Sequence, residues 1–193
     1  MDTLVDSVNG RTAELLNGAT RDSSGVTFDA ISEQLYLGDI TTPIGKTIEI
    51  DVANFDYQDT ANVKFIMNSA SKNNIDRRGT GALLYRFNYG WTLYGWDTRS
   101  SVNASSGLGY STSVYGNLGL NEISGKTVKI EFIDEHTVKL YVDNILIGTI
   151  SDRYLNEYGG NHTTKYLYIG GTNKTSDTCY NMTITGVRIY ANQ

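Results

Sequence analysis

Residues 127–150 read TVKIEFIDEHTVKLYVDNILIGTI, and the alternation of apolar and polar residues in this stretch decides the fold. With Asp134, Glu135 and His136 as a three-residue loop, the flanking segments pair so that Phe132 meets Val138, Ile130 meets Leu140 and Val128 meets Val142. These six apolar side chains share one face. The opposite face receives Glu131 across from Lys139 and Lys129 across from Tyr141, the polar half of a sheet covered on one side only. Asp143-Asn144 supplies the next turn, because Asn and Asp tolerate two successive positive φ angles better than other non-glycine residues. That turn sets Ile145 opposite Val142 and Ile147 opposite Leu140, which predicts one apolar face running across three antiparallel strands. Such a face must be buried on a second layer, and the rest of the chain offers strands to do it.

The composition agrees with this reading. The 193 residues include 20 glycines, 14 tyrosines and one proline, a make-up that favours strands joined by tight turns over helices. Short apolar runs predict further strands near 26–28, 35–37, 46–52, 62–68, 82–88 and 91–97. No solenoid-length repeat or linker-like tract divides the chain, so residues 1–193 are expected to form a single domain. The predicted fold class is all-β, an antiparallel two-sheet β-sandwich. Residues 100–125, SSVNASSGLGYSTSVYGNLGLNEISG, are too polar and glycine-rich for a core element and read as a long loop.

Three segments in the C-terminal third follow a familiar order: LYVDNILIG at 140–148, YLYIGG at 166–171 and ITGVRIY at 184–190. In this they resemble the concanavalin A-like lectin/glucanase superfamily, with the nearest likeness to its laminin G-like and pentraxin-like branches. The run AELLNGATRDSSGVTFDA at 13–30 also looks like the opening strand pair of that family. The resemblance implies a jelly-roll sandwich, a fold that hosts many functions.

Two segments carry candidate binding residues. GALLYRFNYGWTLYGWD at 81–97 reads as an aromatic hairpin. With Asn88, Tyr89 and Gly90 as its loop, Phe87 faces Trp91 and Tyr85 faces Leu93, leaving Arg86, Thr92, Tyr94 and Trp96 on the other side. Flat rings beside hydrogen-bonding groups are what stack on a sugar and fix its hydroxyls, which makes Arg86, Tyr94 and Trp96 candidate carbohydrate-binding residues. In TIEIDVANFDY at 47–57, alternation puts Glu49 and Asp51 on the face opposite Ile48, Ile50 and Val52. Glucanases of the superfamily carry ExDxxE on such a strand. The resemblance would make Glu49 the nucleophile and Asp51 the assisting carboxylate, with Asn54 in the place of the acid/base. An amide cannot supply the proton that the retaining mechanism needs. The chain is therefore expected to be non-enzymatic, with Glu49 and Asp51 kept as candidate binding residues on a polar face.

Other chemistry is sparse. His136 and His162 fall in predicted loops with no serine or cysteine motif around them, and Cys179 lacks a neighbouring base. Superfamily members often bind calcium through loop oxygens, and Asp39, Asp97 and Asp177 lie where loops could gather them. No EF-hand-like spacing occurs, so each is read as a turn or capping aspartate; no cofactor is expected, and calcium stays an open alternative with no ligand assigned.

A net charge of −5 with no basic cluster beyond Arg77-Arg78 excludes a nucleic-acid partner. No stretch approaches a membrane span, and MDTLVDSVNG at the N-terminus has neither the basic nor the apolar region of a signal peptide. One cysteine permits no intramolecular disulfide. Glycan readers usually meet their ligands outside cells, and a virus or phage particle built in a host cytosol reconciles that with these features. The expectation is a non-catalytic protein of the virion surface, a capsid decoration or part of a fibre or tail. Its partners would be other virion proteins, cell-surface glycans or further copies of itself. A free bacterial lectin is the alternative, and a β-glucanase whose acid lies elsewhere is the third reading.

Overall fold

The computed structural model describes residues 4–5, 12–30, 32–40, 44–56, 64–70, 82–86, 90–94, 111–112, 123–134, 137–151, 165–171 and 181–192. In chain order they form β1 (Leu4–Val5), β2 (Thr12–Leu16), β3 (Thr20–Asp22), β4 (Gly25–Phe28), β5 (Gln34–Ile40), β6 (Lys46–Phe55), β7 (Lys64–Ala70) and β8 (Ala82–Arg86). There follow β9 (Gly90–Tyr94), β10 (Ser111–Thr112), β11 (Lys126–Phe132), β12 (Thr137–Val142), β13 (Ile145–Ser151), β14 (Lys165–Gly170) and β15 (Met182–Ala191). They build two antiparallel sheets. One has the order β1-β2-β5-β14-β7-β8-β9-β10 and the other β13-β12-β11-β6-β15-β4-β3, the two-sheet β-sandwich that the alternation requires.

The meander pairs as its sequence predicts. Phe132 meets Val138, Ile130 meets Leu140 and Val128 meets Val142, and all six are buried. Asp143 and Asn144 take φ values of 48° and 64°, and Val142 pairs with Ile145. One expected pair does not form. A β-bulge makes Ile147 an extra residue, so that Tyr141 faces Leu146 while Leu140 faces Gly148. An edge strand held on one side is free to bend in this way. Ile147 still packs against the core, whereas Ile145 at the hairpin tip and Leu146, which faces Tyr141 on the outer side, are 67% and 51% exposed.

Between the sheets, Ile48, Ile50 and Val52 of β6 join the β11 and β12 side chains and meet Leu35, Met67, Leu167 and Ile169 of the other sheet in one buried cluster. Each such side chain contributes roughly 1.5–3 kcal/mol through loss of apolar surface from water.

Two bulges face each other where β6 pairs with β15. Asn54 pairs with Thr183 and Val52 with Ile184, leaving Ala53 extra on β6; Asp51 then pairs with Gly186, leaving Thr185 extra on β15. Each strand therefore reverses which set of alternate residues points inward. Phe55 is buried and Asn54 exposed on β6, and Val187 and Ile189 follow Ile184 into the core on β15.

The crossover from β4 to β5 carries a buried carboxylate. Glu33 accepts the backbone N–H groups of Asp29 at 2.6 Å and Ala30 at 3.0 Å, donors that a chain leaving one sheet for the other would otherwise bury unpaired. The Glu33 carbonyl accepts Gly171 N–H at 2.9 Å, and Gln34 Nε2 donates to the Gly171 carbonyl. A Cβ on Gly170 would lie 2.6 Å from that Glu33 carbonyl oxygen, and its φ is +98°, so glycine alone fits there.

Two further expectations change. In the aromatic hairpin Arg86 pairs with Gly90, Tyr85 with Trp91 and Leu83 with Leu93, because Gly90 joins the strand instead of the loop. A shift of two residues preserves the alternation, so Arg86, Thr92 and Tyr94 still form one alternating set and Tyr85, Trp91 and Leu93 the other. Phe87 lies outside the described residues. The 100–125 stretch is not wholly loop, since Ser111 and Thr112 pair with Tyr94 and Leu93 and Ile123 is buried.

Candidate functional site

The outer face of the seven-stranded sheet is built from residues that alternate with the core. Register aligns Leu146, Tyr141, Lys129, Glu49 and Arg188 in one row across β13, β12, β11, β6 and β15. A second row holds Lys139, Glu131, Thr47 and Tyr190, and a third Thr127, Asp51 and Gly186.

Arg188 locks the two carboxylates of β6 together. Its Nε donates to Glu49 Oε2 at 2.8 Å, Nη1 to Asp51 Oδ2 at 2.5 Å and Nη2 to Asp51 Oδ1 at 2.8 Å. Tyr190 Oη donates to Glu49 Oε1 at 2.7 Å and Thr127 Oγ1 to Asp51 Oδ1 at 2.7 Å. Arg188 nevertheless keeps its side chain 50% exposed, against 16% for Glu49 and 26% for Asp51.

Gly186 makes this geometry possible. A Cβ at that position would stand 2.8 Å from Asp51 Oδ2, so any side chain there would push the carboxylate off the guanidinium. The extra Thr185 of the β15 bulge is what brings glycine, and not threonine, opposite Asp51.

The electrostatics follow from these contacts. Hydrogen bonds from Arg188, opposed by partial burial and aided by Thr127, hold the Asp51 carboxyl below its ordinary value. Burial pushes Glu49 up, but the bonds from Tyr190 and Arg188 outweigh it and the net movement is downward. Burial and the bond to Glu49 push Tyr190 up to about 12, and the Arg188 guanidinium is held still more firmly protonated by Asp51 and Glu49. The group is a fixed set of ionised acceptors and charged donors. A general acid needs a carboxyl pKa moved the other way.

Beside this fork, Lys129 Nζ lies 4.3 Å from the centroid of the Tyr141 ring and donates to Asn144 Oδ1 at 3.3 Å. Tyr141 Oη donates to Glu131 Oε2 at 2.9 Å.

The residues singled out in the sequence do not form one site. Glu49 and Asp51 stand together on β6. Arg86 and Tyr94 belong to β8 and β9 of the other sheet, and Trp96 lies outside the described residues. Asn54 reaches the exposed side through the Ala53 bulge. Asp39 lies on β5 opposite Tyr166, while Asp97, Asp177, His136, His162 and Cys179 lie outside the described residues. Among the described residues, no group of three or more His, Cys, Asp and Glu gathers closely enough to hold a metal ion, and no helix is long and apolar enough to cross a membrane. Arg188 and Tyr190 escape the sequence reading. Their alternation with Val187 and Ile189 marks them as outward-facing, but no local pattern states that β15 lies beside β6.

No protein-family model matches the sequence, and no curated protein matches it. Solved structures do resemble the fold. A Trypanosoma rangeli sialidase in complex with 2,3-difluoro-KDN aligns over 99% of this chain and 28% of its own, at 18% identity and a TM-score of 0.63. The Emp46p carbohydrate recognition domain aligns over 94% of this chain and 88% of its own, at 12% identity and a TM-score of 0.57. The botulinum neurotoxin serotype D binding domain aligns over 98% and 45%, at 13% identity and a TM-score of 0.57. The chain thus spans little more than a quarter of the sialidase and under half of the toxin domain. At these identities the likeness establishes a shared lectin-like β-sandwich fold.

Proposed function

We propose that this chain is a non-catalytic carbohydrate-binding module of laminin G-like type that reads a neutral glycan on the outer face of its seven-stranded sheet, around Glu49, Asp51 and Arg188. The observation that carries the proposal is the locked fork of Arg188 on two carboxylates. Sugar hydroxyls both donate and accept. The fork offers unspent lone pairs on Glu49 and Asp51 beside unspent N–H groups on a half-exposed guanidinium, which uses three of its five donors internally. Side chains already fixed by one another lose little further freedom on binding. With Lys129 beside Glu49, two negative and two positive formal charges cancel, so the face favours neither an anion nor a cation. A neutral polyol suits it best.

The non-catalytic half of the proposal rests on Asn54, an amide where the resemblance would put the proton donor, with Glu49 and Asp51, both held below their ordinary pKa values, offering no substitute acid. The proposal extends to the setting, the surface of a virus or phage particle, with a free bacterial lectin as the competing one. A chain with one cysteine is suited to assembly in a reducing cytosol. Capsid, portal and tail genes beside the coding sequence, or the chain itself in purified particles by mass spectrometry, would support the virion setting.

The test is a glycan array of the purified protein, run with and without calcium so that a metal requirement shows, with Arg188→Ala and Trp96→Ala beside the wild type. Binding is expected to disappear in Arg188→Ala and persist in Trp96→Ala. The converse result would move the site to the β8–β9 hairpin, and a blank array from folded protein would favour a scaffold that contacts only proteins. Hydrolysis of any β-glucan that is lost in Glu49→Gln would overturn the non-catalytic half.

A further inference from the structure

Two tyrosines stand on the outer face of the seven-stranded sheet, in different surroundings. Tyr141 donates its hydroxyl to Glu131 Oε2 at 2.9 Å, and the Lys129 ammonium lies 4.3 Å from its ring centroid, so a cation already occupies one face of that ring. Among the described residues no cation covers the Tyr190 ring in this way, and Tyr190 is 40% exposed. Its hydroxyl donates to Glu49 Oε1 at 2.7 Å, which leans the side chain from β15 over the neighbouring β6. Thr47 of β6 pairs with Tyr190 and faces outward with it, yet is only 3% exposed. The Thr47 hydroxyl donates to Asn192 Oδ1 at 2.7 Å, and the leaning tyrosine accounts for the remaining cover. Held at its Cα by β15 and at its hydroxyl by β6, the ring turns one face to the sheet and the other to water. Glu49 also ties this ring to the fork, because Oε1 accepts from Tyr190 and Oε2 from Arg188 Nε at 2.8 Å. Arg188 and Tyr190 point to the same side of the sheet, alternating with Val187 and Ile189, which pack against the core.

Resting on the reading of this face as a glycan site, we propose that Tyr190 is its stacking platform and that the ligand is a β-linked pyranose. The C–H face of the sugar lies on the Tyr190 ring, and its hydroxyls turn to Arg188, Glu49 and Asp51. The negative face of an aromatic ring attracts the slightly positive hydrogens of a sugar's C–H bonds. In a β-D-pyranose of gluco, galacto or manno configuration, the axial hydrogens at C1, C3 and C5 leave one face of the sugar free of oxygen. In the α-anomer the glycosidic oxygen stands axial on that face and holds the sugar off the platform. The hydrogen bonds of the fork alone do not separate a sugar ring from any other polyol, whereas a flat apolar surface beside them does. A ring already pinned by its hydroxyl loses little rotamer freedom on binding.

The experiment titrates the full chain with the methyl β- and α-pyranosides of glucose, galactose, mannose and N-acetylglucosamine, and with the open-chain polyols glucitol and galactitol, following binding by NMR. The tightest β-glycoside is expected to bind at least about fivefold more tightly than its α-anomer and than the open-chain polyols, the scale of one aromatic contact. Its protons at C1, C3 and C5 should shift upfield in the ring current of the tyrosine. Tyr190→Leu should remove that shift and level the two anomers. Tyr190→Phe keeps the ring, and with it the shift and the anomeric preference, while losing the bond to Glu49 and weakening both anomers alike. A tyrosine that served only to hold Glu49 would behave otherwise, since both variants would weaken binding equally and neither would alter the preference. Equal affinity for the two anomers, open-chain polyols bound as tightly as the glycosides, or a preference that survives Tyr190→Leu overturns the inference and leaves the glycan reading standing. If Tyr190→Leu does not fold, the wild type and Tyr190→Phe decide, and absence of the upfield shift in both overturns the inference. Failure of every glycoside to bind takes both readings down.

Discussion

Gly186 and Asp51 show how much of the face hangs on single atoms. The Gly186→Ala methyl would stand 2.8 Å from a carboxylate oxygen at the end of a side chain that can turn aside. Stability should therefore fall by no more than about 1 kcal/mol, as for most exposed substitutions, while the fork on Arg188 opens. The urea midpoint and the Arg188 Nε–H resonance together check this, the first barely moving and the second shifting strongly. Protonation gives a second handle. A carboxylate whose folded pKa is depressed contributes stability that is present above its unfolded value and lost as pH falls through the folded one. Asp51 sits below its ordinary 3.8 and Glu49 below 4.5. The stability advantage of the wild type over Asp51→Asn should be full above about pH 5 and shrink progressively toward about pH 3, as read from urea melts across that range. Glu49 and Asp51 are legible in the sequence as an outward pair because alternation is local. Their partner is not, since Arg188 stands 139 and 137 residues away and only the strand order brings it near.

Among the elements, the β12–β13 hairpin is the one written most fully in the chain. Asp143 and Asn144 both hold positive φ, and Asp143 Oδ1 accepts Thr127 N–H at 2.9 Å while Asp143 N–H donates to the Thr127 carbonyl at 2.9 Å. The turn is thereby fastened to β11 as well. Asn144→Val forces a β-branched residue into the left-handed region and should cost roughly 1–3 kcal/mol, measured by the same urea melts. The pairing beyond that turn is another matter. Ile145 and Leu146 take the sides that the turn gives them, opposite Val142 and Tyr141, but nothing local in Ile145-Leu146-Ile147-Gly148 marks the bulge that makes Ile147 extra. The β8–β9 hairpin teaches a related lesson: Gly90 can serve a loop or a strand, and the aromatic residues around it fit both registers because a two-residue slip keeps every side chain on its side. On β6 and β15 the alternation breaks visibly, at Val52-Ala53-Asn54-Phe55 and at Ile184-Thr185-Gly186-Val187. Each break reads as a bulge once the two strands are known to be neighbours.

For the molecule as a whole, the all-β sandwich is legible because apolar residues recurring at period two along many short strands can be buried only between two sheets. What joins the sheets is less visible. Glu33 looks like an ordinary surface residue in SEQ at 32–34, yet it is buried and ties the β4–β5 crossover to the end of β14. Glu33→Ala leaves the Asp29 and Ala30 N–H groups without their acceptor and should destabilise the protein by about 1–3 kcal/mol per donor that water fails to reach, with hydrogen exchange at those two amides accelerating first. The twin bulges bear on the molecule's history. Because the extra Ala53 on β6 is answered by the extra Thr185 on β15, the two strands leave the irregularity in the register in which they entered it. Deleting either residue alone would turn half of a central strand inside out, and deleting both would let the pair zip shut. Among homologous chains, gaps at these two positions should accordingly be inherited together or not at all.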